Sequence, residues 1–346
     1  MVKKKINKIR IKIKEWVKAF FLAVLFTLFI KIFFIQSFLV STTKMESTLL
    51  KGDFIMVNKL SYGVRLPITI LSFPFTPKIY SELIQLPYFR LPALKNIKTN
   101  DIIVFNYPMQ LDPPIDKKKI MVKRCVALPR DTIKIENKRL YINSIQVKSS
   151  EKLQFNYRFV TNGKVLNNNF LDKYGIREGG IVSKIGIYDF YLTKYKLDIV
   201  KKDKQIRYVR ELRDFSGENT SYIFPIGKYY SFNKDNFGPI VIPFKGQVVN
   251  INNKTIELYK DLITEYEGNE LLIKNSKIFI NNKETVKYTI KKDYYFVLDD
   301  NRDNAKDSRY WGFLPEDYIV GKVSFVWFSF DKTRRKIRWS RIFKKI

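Results

Sequence analysis

Apolar residues follow two patterns along this chain. The first is a nearly unbroken run at residues 19–30, in which Thr27 is the single polar side chain. It falls short of the roughly 20 residues a membrane-crossing helix needs, so a spanning helix recruits Trp16 and Val17 on one side and residues 31–35 on the other. Lys31 then extends its amine toward water. Lys3, Lys4, Lys5, Lys8, Arg10, Lys12, Lys14 and Lys18 accompany the start of this segment against Glu15 alone. That asymmetry keeps an N-terminus in the cytoplasm and sends the following chain across the cytoplasmic membrane. A cleaved secretory signal is the alternative, but no small-residue cleavage motif follows and hydrophobicity continues to Val40.

The second pattern is a series of short runs rich in β-branched and aromatic residues, at 32–40, 54–59, 101–105, 120–127, 132–135, 294–298 and 320–329. Gly, Pro, Asn and Asp punctuate them, which predicts a mainly β body. Residues 41–44 read as an extended continuation of the first run, with neighbouring side chains on opposite faces. Between about 135 and 290 the chain turns Lys-, Asn- and Tyr-rich, with short strand-like pieces such as 140–142 and 278–280, and it separates two motif-rich regions. The expected organisation is therefore a basic N-terminus, anchor and lead-in strand (1–40), the first part of a core (41–134), a β-rich insertion domain (135–290), and the second part of the core with a basic tail (291–346).

Composition narrows the chemistry. Lys and Arg total 64 against 33 acidic residues, a net charge of +31, and there is no histidine. Without histidine, His-based triads are excluded and zinc catalysis loses its commonest ligand; we expect no metal and no cofactor. The lysines spread from end to end and no helix-turn-helix, RNP or zinc signature is present, so no specific nucleic-acid binding is expected. A basic membrane-surface or nucleic-acid binder would instead show salt-sensitive binding indifferent to the core motifs. Cys125, the sole cysteine, rules out an intrachain disulfide and reads as a buried strand position.

Residues 300–312, DNRDNAKDSRYWG, are too dense in acids, amides and arginines for an ordinary solvated surface. A folded home for them requires reciprocal Arg–carboxylate pairs, most simply bidentate ones that brace a site. Three other boxes accompany this one: KIFFIQSF (31–38) leading to MESTLLKGDFIMV (45–57), NDIIVFNYP (100–108), and VKRCVALPRD (122–131). Together they resemble bacterial type I signal peptidases, membrane-anchored Ser/Lys endopeptidases that remove signal peptides, and the ending VWFSFD (326–331) is similar to the Gram-negative branch.

The resemblance implies a signal-peptidase-type β core with one N-terminal transmembrane helix and a β-rich insertion. The bulk of the chain would lie on the outer or periplasmic side of the cytoplasmic membrane. It places Lys123 as general base, Thr42 as the hydroxyl that helps hold the oxyanion, and Asp300, Asn301, Arg302, Asp307 and Arg309 as site scaffold. A buried lysine can serve as a base because desolvation disfavours its ammonium form.

Three positions depart from the family. Its serine nucleophile directly precedes the methionine, and here that position holds Lys44. A neutral Lys44 amine attacking a peptide would form another amide, about as stable as the bond it replaced. The family's glycine is Asp299, and its lysine-orienting serine is Ala305. A carboxylate at Asp299 is expected to pair with a charge retained at the site. Ser41 and Thr43 are the alternative nucleophiles, which only a bulge would bring toward Lys123. Implied partners are signal peptides of preproteins, received as an added strand, and membrane lipid, touched by aromatics near the anchor and by the tail at 334–345. Two functions follow: a signal peptidase that processes exported preproteins despite Lys44, or an inactive paralogue that binds preproteins or a working peptidase.

Overall fold

A computed structural model describes residues 2–73, 79–183, 186–218 and 221–346, with side chains from residue 13 onward. Met1 and the basic side chains before residue 13 lie outside the description. Helix α1 (Val2–Phe33) contains Ile13–Phe33, a stretch long and apolar enough to cross a membrane and with none of it buried. The strand expected from residue 32 begins later, as β1 (Ile35–Leu39), because no Gly or Pro interrupts the helical ladder and Phe34 N still donates to Ile30 O at 2.9 Å.

The core sheet is antiparallel throughout. With β2 (Asp53–Asn58), β3 (Ile102–Asn106) and β4 (Ile120–Ala127), its order runs β1, β2, the strand Ile319–Asp331, β3, β4, the strand Tyr294–Leu298 and the short strand Leu314–Pro315. The period-two alternation of β3 explains why it sits centrally. Ile103 and Phe105 enter the larger apolar cluster on one face, while Ile102 and Val104 enter a smaller cluster on the other, with Met45, Leu49, Ile55 and Val326. A strand whose first four positions are all apolar is suited to burial on both faces.

The insertion contains two kinds of structure. Residues 157–200 form their own apolar cluster, around Phe159, Phe190 and Leu192, beneath a four-stranded sheet that includes Gln154–Thr161 and Ile187–Thr193. Much of 223–290, including Phe237, Ile263 and Tyr288, packs instead into the larger cluster with β3, β4 and Phe296. Its Asn-rich composition has a local reason. Asn137-Lys138, Asn143-Ser144, Asn275-Ser276 and Asn281-Asn282 each join adjacent strands with both φ angles positive, the conformation that two-residue hairpin turns demand and asparagine tolerates.

Residues 42–49 correct an expectation. They are coiled, not extended: Glu46 N donates to Thr43 O at 2.9 Å, Leu49 N to Met45 O at 2.8 Å, and Ser47 has φ +75°. Thr48 N also donates to Met45 O, at 3.1 Å, and this turn places Met45 and Leu49 together in the smaller cluster. Strict alternation between Thr43 and Lys44 therefore does not apply.

Candidate active site

Strand register assembles the site. Leu298 lies opposite Arg124 in the pairing of Tyr294–Leu298 with β4, so continuing the strand by one residue brings Asp299 across from Lys123. Adjacent bases on β4 thereby meet adjacent acids at the end of the neighbouring strand. Lys123 Nζ donates to Asp299 Oδ1, with both side chains almost wholly buried. Arg124 binds Asp300 in bidentate fashion, Nε to Oδ1 at 2.8 Å and Nη2 to Oδ2 at 2.7 Å. Asp300 also accepts from Thr48 Oγ1, which ties the coil at 42–49 to the sheet.

Lys44 sits in that coil, half-buried. Its backbone carbonyl accepts from Asn301 N at 2.9 Å, and its Nζ reaches Asn304 O at 3.3 Å and Asn304 Oδ1 at 3.5 Å. Both amines therefore converge on the acid-rich segment. Burial depresses the Lys44 pKa; Asp299 pulls it back up, and the charge of Lys123 pushes it down again.

Asp299 and Asp307 form one electrostatic unit, since Asp299 N donates to Asp307 Oδ2 at 3.0 Å. Burial raises the Asp299 pKa to about 6; Lys123 opposes the rise and the negative charge of Asp307 adds to it. Burial also opposes ionisation of Asp307, but the charge and hydrogen bonds of Arg309 outweigh it and hold that carboxyl below its ordinary range. The Arg309 fork spans Asp307 with Nε to Oδ1 at 3.0 Å and Nη2 to Oδ2 at 2.8 Å. The same guanidinium donates to Lys234 O at 2.9 Å and Arg302 O at 2.6 Å, so it locks the loop as well as the acid. Arg302, buried, donates from Nε to Asp299 O at 3.1 Å.

Of the other site positions, Ser41 and Thr42 are exposed and Ala305 is partly buried without a hydroxyl to offer. Thr43 Oγ1 donates to Glu178 Oε1 at 2.8 Å. Among the described residues, Lys123 Nζ has Asp299 as its hydrogen-bond partner and no hydroxyl shares it. A general base must present a lone pair to the nucleophile's proton. Lys123 instead donates to a carboxylate, and the nearby nucleophile position offers a second amine.

Glu178 was not legible in the sequence. It reaches in from the insertion and accepts from Thr43 Oγ1, Asn301 Nδ2 and Asn304 Nδ2 at once, while neighbouring Arg177 pairs with Glu46 at 3.6 Å. Gln154 is a second contact from the insertion, with its N donating to Asp300 O at 2.9 Å and its O accepting from Arg302 N at 2.9 Å. No motif marks either residue. Arg124 had a weak signal, its place directly after Lys123 and before a buried cysteine.

A family model of signal peptidase, peptidase S26, matches residues 13–236 and 240–328. The chain is 29% identical over 338 residues to signal peptidase I of Buchnera aphidicola subsp. Acyrthosiphon pisum, covering 93% of this chain and 80% of that protein. It is 24% identical over 339 residues to signal peptidase I of Helicobacter pylori strain 26695, covering 91% and 87%. To that of Aquifex aeolicus it is 26% identical over 309 residues, covering 89% and 82%. The chain belongs to the signal peptidase S26 family.

Proposed function

We propose that this member of the signal peptidase S26 family binds signal peptides of exported preproteins without hydrolysing them by Ser/Lys chemistry, acting alone or beside a working peptidase. One observation carries the reading: Lys123 Nζ, the base position, is held in a buried pair with Asp299, while the nucleophile position carries the Lys44 amine. Neither amine has a hydroxyl to activate, and an amide formed on Lys44 would not turn over. Retention of the surrounding frame, from Thr48 and Arg124 to Arg309, supports continued recognition. In this reading α1 spans the cytoplasmic membrane with its N-terminus inside and the body on the outer side. The division proposed with it keeps anchor and lead-in strand (1–40), core parts (41–134 and 291–346) and insertion (135–290), within which the segment with its own apolar cluster is about 154–211.

A second reading has a specific contact behind it. Of the two alternative nucleophiles, Ser41 is exposed while Thr43 Oγ1 donates to a carboxylate, Glu178, which makes Thr43 the candidate for a displaced nucleophile. The two readings separate in detergent with the full-length protein and a preprotein. The expected result is binding without cleavage by the natural chain, and cleavage by the triple variant Lys44→Ser, Asp299→Gly, Ala305→Ser. Cleavage by the natural chain that disappears in Lys123→Ala would overturn the proposal. Cleavage lost in Thr43→Val but retained in Lys123→Ala would establish the second reading.

A further inference from the structure

A two-stranded arm leaves the core between β2 and β3. Isolated antiparallel bridges join Arg65 to Arg90, Thr69 to Gln85 and Ser72 to Tyr80. Two arginines clamp its root. Arg65 donates to Asn106 Oδ1 at 2.6 Å and Asp317 O at 3.0 Å, and Arg90 to Tyr62 O at 3.0 Å, Gly63 O at 3.1 Å and Ile319 O.

Beyond that clamp the composition changes abruptly. Residues 67–89 carry two charges, Lys78 and Glu82, in a chain that is 28% charged. Ile70, Leu71, Ile79, Leu83, Ile84 and Phe89 are exposed, Leu83 to 87%. So many exposed apolar residues gathered on one arm mark a binding segment, because single exposed apolar residues are ordinary but clusters are not. Pro67 and Pro87 interrupt the strands and so protect their edges from pairing with another chain.

The arm is fastened beside the exit of α1. Thr69 donates from N and Oγ1 to Asp116 at 3.1 and 3.0 Å, and the neighbouring Lys117 places its Nζ 5.9 Å from the centre of the Tyr80 ring. Lys117 lies close enough to Lys31, in the last turn of α1, for their charges to repel. Lys59, six residues before Arg65 at the root of the arm, donates to Lys31 O at 2.9 Å. With α1 as the span, its last turn emerges near the headgroups, and these contacts hold the arm beside that turn. Its aliphatic residues, flanked by Tyr80 and Tyr88, have the amphipathic character of an interfacial segment.

We propose that the arm's described residues 66–73 and 79–89 form a second membrane contact that lies in the lipid interface beside α1. The proposal rests on α1 spanning the bilayer and is independent of whether the site cleaves. An environment-sensitive fluorophore is placed on the full-length chain at Ile79→Cys and Leu83→Cys in the arm, and at Val165→Cys and Tyr195→Cys, exposed positions of the insertion. Buried Cys125 stays unlabelled in the native protein. In vesicles of phosphatidylethanolamine and phosphatidylglycerol, the arm probes shift to the blue and are quenched by doxyl-labelled lipid, and the insertion probes do neither. Arm probes that report water overturn the proposal, as does a shift that appears only when a preprotein is added, which would make the arm a protein-docking surface. A probe at Leu25→Cys in α1 tells the failures apart. Quenching there with none in the arm removes the arm contact alone, and quenching at neither removes the spanning helix as well.

Discussion

The carboxylates of two buried ion pairs, Asp299 with Lys123 and Asp307 with Arg309, lie eight residues apart in sequence and are pushed in opposite directions. Asp307 receives a two-pronged guanidinium from Arg309 and backbone N–H groups from Asp299 and Arg309, so its ionised form is favoured despite burial. Asp299 receives the Lys123 ammonium and the backbone N–H of Lys306, but Asp307 repels it, and burial prevails. A buried charge is tolerated when enough donors converge on it, and it is a liability when they do not. The Asp307–Arg309 pair therefore behaves as part of the frame. The Lys123–Asp299 pair, by contrast, holds its carboxylate against the cost of burial.

The largest effect expected from this contrast is on stability. Arg309→Ala strands a buried carboxylate and frees two carbonyls, and should cost about 3–5 kcal/mol in chemical denaturation. A loss below about 1 kcal/mol would erase the distinction between frame and centre. Replacing both members of each pair sharpens it. Lys123→Met with Asp299→Ala should lie within about 1 kcal/mol of the natural chain, because apolar groups can substitute for a buried pair. Arg309→Met with Asp307→Ala should remain clearly destabilised, because Lys234 O and Arg302 O lose their donor as well.

The two acids should also bend the pH–stability curve in opposite senses. With a folded pKa raised to about 6, Asp299 contributes stability that is full below the unfolded carboxylate value of about 3.9 and lost as pH rises through about 6. Asp307, with a depressed folded pKa, contributes stability that is present above the unfolded value and lost as pH falls. Denaturation across pH should show Asp299→Asn removing the decline between about pH 4 and 6, and Asp307→Asn removing the acid limb below it. Matching slopes for both variants would break the comparison.

The smallest effect should come from Glu178→Gln. It keeps the shape but weakens the three hydrogen bonds from Thr43, Asn301 and Asn304, at a cost of about 1 kcal/mol. Its value is locational. In the triple variant Lys44→Ser, Asp299→Gly, Ala305→Ser, the same change should lower cleavage without a comparable loss of stability, since the carboxylate orients the coil that carries the nucleophile position.

Much of the fold was legible. The strands at 120–127 and 294–298 appear with the expected bounds, because a dense apolar run between turn residues leaves few alternatives. The coil at 42–49 was not legible: its Ser, Thr and Lys composition suits a strand lead-in, and what holds it curled are its own turn hydrogen bonds together with contacts from Asn301 and Asp300, distant in sequence. Glu178 and Gln154 were invisible for another reason. They reach the site from an insertion whose local sequence says nothing about where its loops will dock.

Sequence by itself determined that an amine stands at residue 44 ahead of Met45, that a basic segment precedes an apolar helix, and that the body is built of β-strands. These follow from side-chain identity and period, which are local properties. Only the tertiary structure decided that Asp299 meets Lys123 while Asp300 meets Arg124, and that one carboxylate is pushed up as its neighbour in space is held down. Pairing and protonation depend on burial and on charges a few ångströms away, and strand register, set by the whole sheet, chooses those neighbours.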